Sequence, residues 1–192
     1  MTEESPRKKA IQPEMMVAVS AVFIGVCALA VSLYETQLRR EEQRSAVLPL
    51  LELGRSHYTK PDDGDKANWR LSLHAENVGI GPARIENFIV TVDGKPYKTW
   101  RSALRALLGS GVSISYGQST INGRTVPPER TITMFNLSNT ELAGSIVAEF
   151  ERLDFEACFC SVFDECWTTS YSTFGASEPV AECRRNDDSF TE

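Results

Sequence analysis

Residues 69–76 read WRLSLHAE, and residues 84–92 read RIENFIVTV after a break that contains two glycines. In the first of these segments the apolar side chains occupy every second position, namely Trp69, Leu71, Leu73 and Ala75. A period of two is typical of a β-strand with one buried face. Asp93 and Gly94 follow the second segment and predict a tight hairpin turn into residues 95–99. We therefore expect the middle of the chain to form antiparallel β-structure.

Turn residues separate further short segments of strand character on both sides of this region. We predict strands at residues 48–53, 112–116, 131–137, 145–150, 155–163 and 167–171. Residues 100–108 (WRSALRALL) instead show a helical period, and Gly109 provides a stop signal. About seven or eight strands and one short helix predict a mainly β fold. We assign residues 48–192 to an immunoglobulin-like antiparallel β-sandwich with that one helix.

An uncharged segment of twenty residues, 15–34 (MMVAVSAVFIGVCALAVSLY), precedes the β-rich region. As a helix it is about 30 Å long, which matches the hydrocarbon core of a bilayer and predicts a transmembrane helix. A buried core helix would carry a polar face, whereas only Ser20 and Ser32 interrupt this apolar surface. A cleavable signal peptide is the stronger alternative, because residues 7–9 are basic and residues 28–30 resemble a cleavage site. The length of the apolar run favours an uncleaved anchor.

The flanks of this segment complete the predicted organisation. Residues 1–14 are polar and are predicted to be a disordered tail, while residues 35–47 are rich in helix formers and predict a juxtamembrane helix that ends before Pro49. Each flank carries three basic residues, so the positive-inside rule does not choose an orientation.

The composition excludes one class of partner. Residues 45–192 hold 14 basic and 20 acidic residues, so this part alone accounts for the net charge of −6 of the whole chain. An acidic domain without a basic stripe does not bind nucleic acid well. The sequence also lacks a nucleophile elbow, a phosphate-binding loop and a dinucleotide fingerprint. We therefore expect no enzymatic activity, no catalytic residues and no cofactor; His57 and the acidic residues 62–65 are interpreted as surface.

Five cysteines are present, and four of them lie near the carboxyl end: Cys158, Cys160, Cys166 and Cys183. An even, clustered number predicts two disulfide bonds in an oxidising compartment. Cys158 and Cys160 share one strand face but are poorly spaced for a bond with each other. We favour Cys160–Cys166 across a hairpin and Cys158–Cys183, which closes a loop and contributes about 3 kcal/mol, and exchanged partners remain the alternative.

A metal site is the other interpretation of these cysteines. Four thiolates can hold a tetrahedral zinc ion, but the spacing C-x-C-x5-C-x16-C lacks the paired C-x2-C units that such sites use. The C-x-x-C motif of redox enzymes is absent as well. A metal- or thiol-dependent function is therefore the second hypothesis, and no metal ligand is assigned.

Residues 73–83 (LHAENVGIGPA), followed by a strand and an Asp-Gly-Lys hairpin, resemble a recurring pattern in bacterial membrane-anchored proteins of unknown function. Those proteins are similar in having a single membrane span and an immunoglobulin-like sandwich. The resemblance implies this fold and this anchoring, and it implies no catalytic residues.

These observations lead to one preferred functional hypothesis. We expect a non-enzymatic interaction or envelope accessory module that is anchored in the bilayer through residues 15–34. The predicted location is the inner, cytoplasmic membrane, with a single pass and the carboxyl-terminal domain in the periplasm or outside the cell, because the cysteines favour an oxidising side. The predicted partner is an unidentified membrane or envelope protein.

Overall fold

A computed structural model describes residues 13–60, 68–111, 113–138, 140–173 and 175–192. The chain divides into two compact units, one ending at Ser45 and one covering Ala46–Glu192. Most of the predicted amino-terminal tail (residues 1–12) and the acidic segment at residues 62–65 lie outside the described residues.

The first unit contains one long helix, α1, at Pro13–Ser45. Its segment Met15–Arg44 is long and apolar enough to cross a membrane. The transmembrane and juxtamembrane helices predicted from the sequence form this single helix, which ends at Ser45, before Pro49. The apolar side chains of the predicted span are exposed along its whole length, as expected for a surface that faces lipid.

The second unit contains two antiparallel sheets and two further helices. In chain order its elements are β1 (Leu51–Lys60), β2 (Asn68–Asn77), β3 (Ala83–Val92), β4 (Lys95–Tyr97), α2 (Trp100–Leu108), β5 (Gly117–Gln118), β6 (Thr125–Val126), β7 (Arg130–Leu137), α3 (Thr140–Ala148), β8 (Leu153–Cys160), β9 (Cys166–Ser170) and β10 (Ser177–Val180). The first sheet has the order β1-β2-β7-β5, and the second has the order β10-β9-β8-β3-β4, with β6 pairing to β3. The prediction of a mainly β, antiparallel fold is confirmed.

Both sheets contribute their apolar faces to one core. The alternation predicted for β2 is confirmed, since Leu71, Leu73 and Ala75 are fully buried. Helix α2 covers the same core with residues spaced at helical intervals, namely Trp100, Ala103, Leu104 and Leu107. The Thr99 side chain caps this helix by accepting a hydrogen bond from Ser102 N, and Gly109 ends it with a φ of 95°.

Some predicted elements are wrong. Residues 145–150, predicted as a strand, instead run from the end of α3 to the start of a 3₁₀ turn at Phe150–Arg152, so the domain has more than one short helix. The run contains β-branched residues, which favour a strand, but Leu142, Ala143 and Ile146 together form a buried helical face. Residues 113–116 do not form a strand, and pairing begins at β5. The predicted first strand starts only at Leu51.

The last twelve residues return across the second sheet and close the core. Phe190 is buried, and its ring lies 5.7 Å from the ring of Phe88 and 5.1 Å from that of Trp100. Its backbone N donates a hydrogen bond to Phe88 O at 2.8 Å. The Glu192 carboxylate accepts a hydrogen bond from Trp100 N at 2.8 Å, which satisfies a free donor in the first turn of α2. The carboxyl-terminal segment is therefore an integral part of the core.

Candidate functional site

Six large apolar side chains are exposed at one end of the domain. This proximal end, where the chain arrives from α1, is formed by the start of β1, the β2–β3 connection and the β8–β9 turn. The six residues, which we call the apolar rim, are Leu48, Leu50, Val78, Ile80, Val162 and Phe163. Ile80 is the most accessible, with 65% of its surface exposed. No other large apolar residue among the described positions of the domain is exposed to this degree.

Four of the rim residues lie on two chain segments that are joined by backbone hydrogen bonds. Val78 N donates to Leu50 O at 2.8 Å, and Ile80 N donates to Leu48 O at 3.1 Å. Gly81 N donates to the same Leu48 oxygen at 3.2 Å. We call this arrangement the clasp. It fixes the residues that follow α1 against the β2–β3 connection, so the rim side chains on both segments have a defined backbone position.

The two glycines of the β2–β3 connection are required by the close contact in the clasp. A Cβ atom on Gly79 would lie 2.3 Å from Leu50 N, and one on Gly81 would lie 1.7 Å from Val47 O. Both distances are far below van der Waals contact, and the atoms concerned are backbone atoms, which cannot rotate aside as the end of a flexible side chain can. The sequence showed these glycines as turn residues, but it did not show that a second segment lies against them.

Asn77 fastens the clasp from within the protein. Its side chain is fully buried, and its Oδ1 accepts hydrogen bonds from Leu50 N at 3.2 Å and from Gly79 N at 3.0 Å. Its Nδ2 donates to Gly81 O at 2.8 Å and to Val126 O at 2.9 Å. Every hydrogen-bonding site of the amide is thus used, which is the condition under which a buried polar group stabilises a fold.

The β8–β9 turn carries the other two rim residues, Val162 and Phe163. Ser161 N donates to Glu165 O at 2.8 Å and closes the turn. The guanidinium of Arg84, at the start of β3, lies 2.6 Å from the Asp164 carboxylate and also contacts Glu86. This ion pair connects the turn to the strand that follows the clasp, so both parts of the rim belong to one end of the domain.

Two disulfide bonds hold the same end together. Cys160 and Cys166 are opposite each other in β8 and β9 and are bonded at the base of the turn. Cys158 is bonded to Cys183 and ties the carboxyl-terminal segment to β8. The prediction of two disulfides is confirmed. Their pairing is the favoured one, and the alternative with exchanged partners is not formed. Cys27, in α1, is a free thiol.

The sulfur atoms of the two disulfides lie side by side. Cys160 Sγ is 3.7 Å from Cys183 Sγ, although these two atoms are not bonded to each other. Within the described residues, Cys160, Cys166 and Cys183 are the only group of potential metal ligands close enough to share an ion. Zinc binds thiolates, and all three sulfurs are in disulfide bonds, so the group is not a metal site in this oxidised form.

The two histidines do not form a site together. His57 lies exposed on β1 opposite Leu71, and His74 lies on β2 opposite Gly54, so the sheet register keeps the two imidazoles apart. A cavity of about 100 Å³ on the second sheet is lined by polar side chains that include Glu156, Thr168 and Glu178. Glu156 is exposed, yet desolvation by the residues around it, with a smaller effect from the neighbouring Asp154, raises the pKa of its carboxyl.

We expect Glu156→Gln to stabilise the domain at neutral pH. A carboxyl whose pKa is raised by folding contributes stability below its ordinary pKa, and this contribution is lost as the pH rises through the raised value. The glutamine side chain does not ionise, so the variant keeps the stability that the parent loses when the Glu156 carboxyl ionises. Its urea midpoint should therefore be higher than that of the parent at pH 7 and equal to it near pH 3.5. Glu151→Gln, at an exposed position of the 3₁₀ turn, controls for the removal of one negative charge. An equal increase in both variants would contradict the local cause.

Comparisons with known proteins give no identification. No protein-family model, no curated protein and no solved structure matches the chain. The resemblance noted at residues 73–83 therefore remains a prediction, and the apolar rim and the paired disulfides are the features on which a functional proposal can rest.

Proposed function

We propose that this protein is a membrane-anchored, non-enzymatic interaction module. In this proposal, α1 holds an immunoglobulin-like β-sandwich at the inner membrane, and the apolar rim binds a membrane or envelope protein. The observation that supports it is the clustering, at the proximal end, of the six large apolar residues that are exposed among the described positions of the β-rich domain. Single exposed apolar residues are common on protein surfaces, whereas a cluster at one end is characteristic of a binding surface.

The rigidity of the proximal end supports the same function. Leu48, Leu50, Val78 and Ile80 are on segments joined by the clasp, and Val162 and Phe163 are on a turn closed by a disulfide. A surface that is already ordered loses little conformational entropy when a partner binds, so more of the contact energy appears as affinity. Each fully buried Leu, Val, Ile or Phe side chain would contribute roughly 1.5–3 kcal/mol.

Photo-cross-linking from defined positions tests the binding surface. A photoreactive amino acid at Ile80 or Phe163, in the full chain expressed at native level, should cross-link to one common protein. The same probe at Glu141, exposed at the start of α3 and away from the proximal end, is the matched control and should not. Ile80→Asp should abolish the product formed from position 163. No product from either rim position, or equal products from all three positions, would contradict the proposal.

The two disulfides support a location of the domain in the periplasm or outside the cell, because the cytosol keeps thiols reduced. Intact cells treated with a membrane-impermeant, mass-tagging maleimide should show four tags only after impermeant reductant has been added. A chain that is untagged in intact cells, but takes up four tags on lysis without reductant, would place the domain in the cytosol and overturn this location.

A further inference from the structure

We propose that the four cysteines form a thiol–disulfide exchange site, at which the bond to Cys183 moves from Cys158 to Cys160 when a dithiol reduces the protein. The inference rests on the contact between two sulfur atoms that belong to different disulfides. It does not depend on the binding role of the apolar rim.

The distance between these sulfur atoms is close to that of reacting atoms. Cys160 Sγ and Cys183 Sγ are 3.7 Å apart, close to the separation of about 3–3.5 Å between reacting atoms. Because Cys183 Sγ also lies within 4.8 Å of Cys166 Sγ, it stands beside the Cys160–Cys166 bond, and the freed Cys183 side chain must rotate into line with that bond before it attacks. Cys160, Cys166 and Cys183 all have their sulfurs within 4.8 Å of one another. Cys158 Sγ is outside this group of three. Cys160 is therefore the cysteine whose sulfur lies next to Cys183 Sγ without being bonded to it.

The exposure of the cysteines sets the order of events. Cys158, Cys160 and Cys166 are buried on paired strands, whereas Cys183 is partly exposed in the segment after β10. A dithiol therefore reaches the Cys158–Cys183 bond from the Cys183 side. Its first thiolate bonds to the Cys183 sulfur and displaces the Cys158 thiolate; its second thiol then closes the reductant's own disulfide and releases Cys183 as a thiolate.

The Cys183 thiolate can then attack the neighbouring disulfide. A bond forms between the Cys183 and Cys160 sulfurs, the Cys160–Cys166 bond breaks, and Cys166 leaves as a thiolate that takes a proton from water. Two electrons pass from the dithiol to the protein, which ends with one disulfide and thiols on Cys158 and Cys166. The carboxyl-terminal segment stays cross-linked to β8, while the rim turn at residues 161–165 loses the disulfide at its base.

Partial reduction of the full chain in detergent tests the transfer directly. The protein is treated at pH 8 with limiting dithiothreitol, quenched in acid, alkylated and mapped without reduction. Molecules that have lost one disulfide should carry thiols on Cys158 and Cys166 and a Cys160–Cys183 bond. Thiols on Cys158 and Cys183 would show simple reduction, and thiols on Cys160 and Cys166 would show the other disulfide opening first. Either result would overturn the proposal.

Single substitutions provide an independent test. Cys158→Ser frees Cys183 beside Cys160–Cys166, and Cys166→Ser frees Cys160 beside Cys158–Cys183. Both variants should therefore contain the same new bond, Cys160–Cys183, with the thiol on Cys166 in the first and on Cys158 in the second. Cys183→Ser is the control: it frees Cys158, and the Cys160–Cys166 bond should remain. Scrambled bonds in this control would mean that unfolding causes the exchange.

Discussion

Replacement of Asn77 by Asp is expected to lower the free energy of unfolding by about 3–5 kcal/mol at pH 7, the loss typical of an uncompensated buried charge. The change is nearly isosteric, but it removes both amide donors and turns a carboxylate toward the carbonyl oxygens of Gly81 and Val126. The side chain has no access to water that could solvate the charge. Urea denaturation of the full chain in detergent, followed by tryptophan fluorescence, measures the loss.

The effect of this substitution should depend on pH in a defined direction. Burial and the facing carbonyls raise the pKa of the new carboxyl in the folded state, so protonation at pH 4 should restore part of the lost stability. Asn136→Asp, the same change at an exposed position of β7, should shift the free energy of unfolding by no more than about 0.5 kcal/mol. Equal losses in the two variants would mean that the clasp does not depend on the buried amide.

Replacement of Phe190 by Ala is expected to cost about 3–5 kcal/mol, the range for deletion of a buried aromatic side chain. The ring fills the space between Phe88 and Trp100, and its removal leaves a cavity as well as lost apolar contact. We also expect weakening of the backbone hydrogen bond that Phe190 N donates to Phe88 O. Denaturation of the full chain at constant pH measures the change. Release of the carboxyl-terminal segment would also remove the Glu192 carboxylate from Trp100 N, so amide hydrogen exchange in the first turn of α2 should increase.

Phe163→Ala is the matched control for this prediction. It removes the same side chain from an exposed turn, so its effect on unfolding should be at most about 0.5 kcal/mol. The same variant should weaken cross-linking at the apolar rim, whereas Phe190→Ala should not do so while the protein remains folded. A Phe190→Ala protein as stable as the parent would show that the carboxyl-terminal segment lies on the core without supporting it.

The parts of the fold that were predictable depend on local patterns. The alternation in β2, the helical period of α2 and the Asp93-Gly94 hairpin each follow from residues that are close in sequence, and the structure confirms all three. Asp93 and Gly94 both have positive φ values, of 52° and 74°, as the hairpin turn requires. Long-range contacts decide the features that were missed.

Helix α3 shows how tertiary contacts override a local pattern. Residues 145–150 include the β-branched pair Ile146-Val147, which favours a strand when read alone. The preceding Leu142 and Ala143 belong to the same buried helical face, and the helical period is visible only when they are read together with Ile146. Phe190 was missed for a different reason: a single aromatic residue among polar neighbours has no period that would indicate burial.

The candidate site was predictable only in its chemistry. Four clustered cysteines indicated two disulfides, and the favoured pairing is present. The contact between Cys160 and Cys183 could not be predicted, because it depends on the path of the chain after β10. The rim could not be predicted either, since its residues come from three separate segments. The one local indication of the rim is at residues 77–81 (NVGIG), where the apolar Val78 and Ile80 alternate with turn-forming Asn and Gly residues.

The clasp also determines how the domain responds to mechanical tension. β1 is the outermost strand of its sheet, and a pull on its first residue alone would peel it from β2 one hydrogen bond at a time. The clasp holds the chain ahead of that strand, at Leu48 and Leu50, through bonds that must yield before peeling begins. Tension that reached the domain through α1 would thus be carried first by the clasp bonds to the β2–β3 connection, before the outer strand β1 begins to peel.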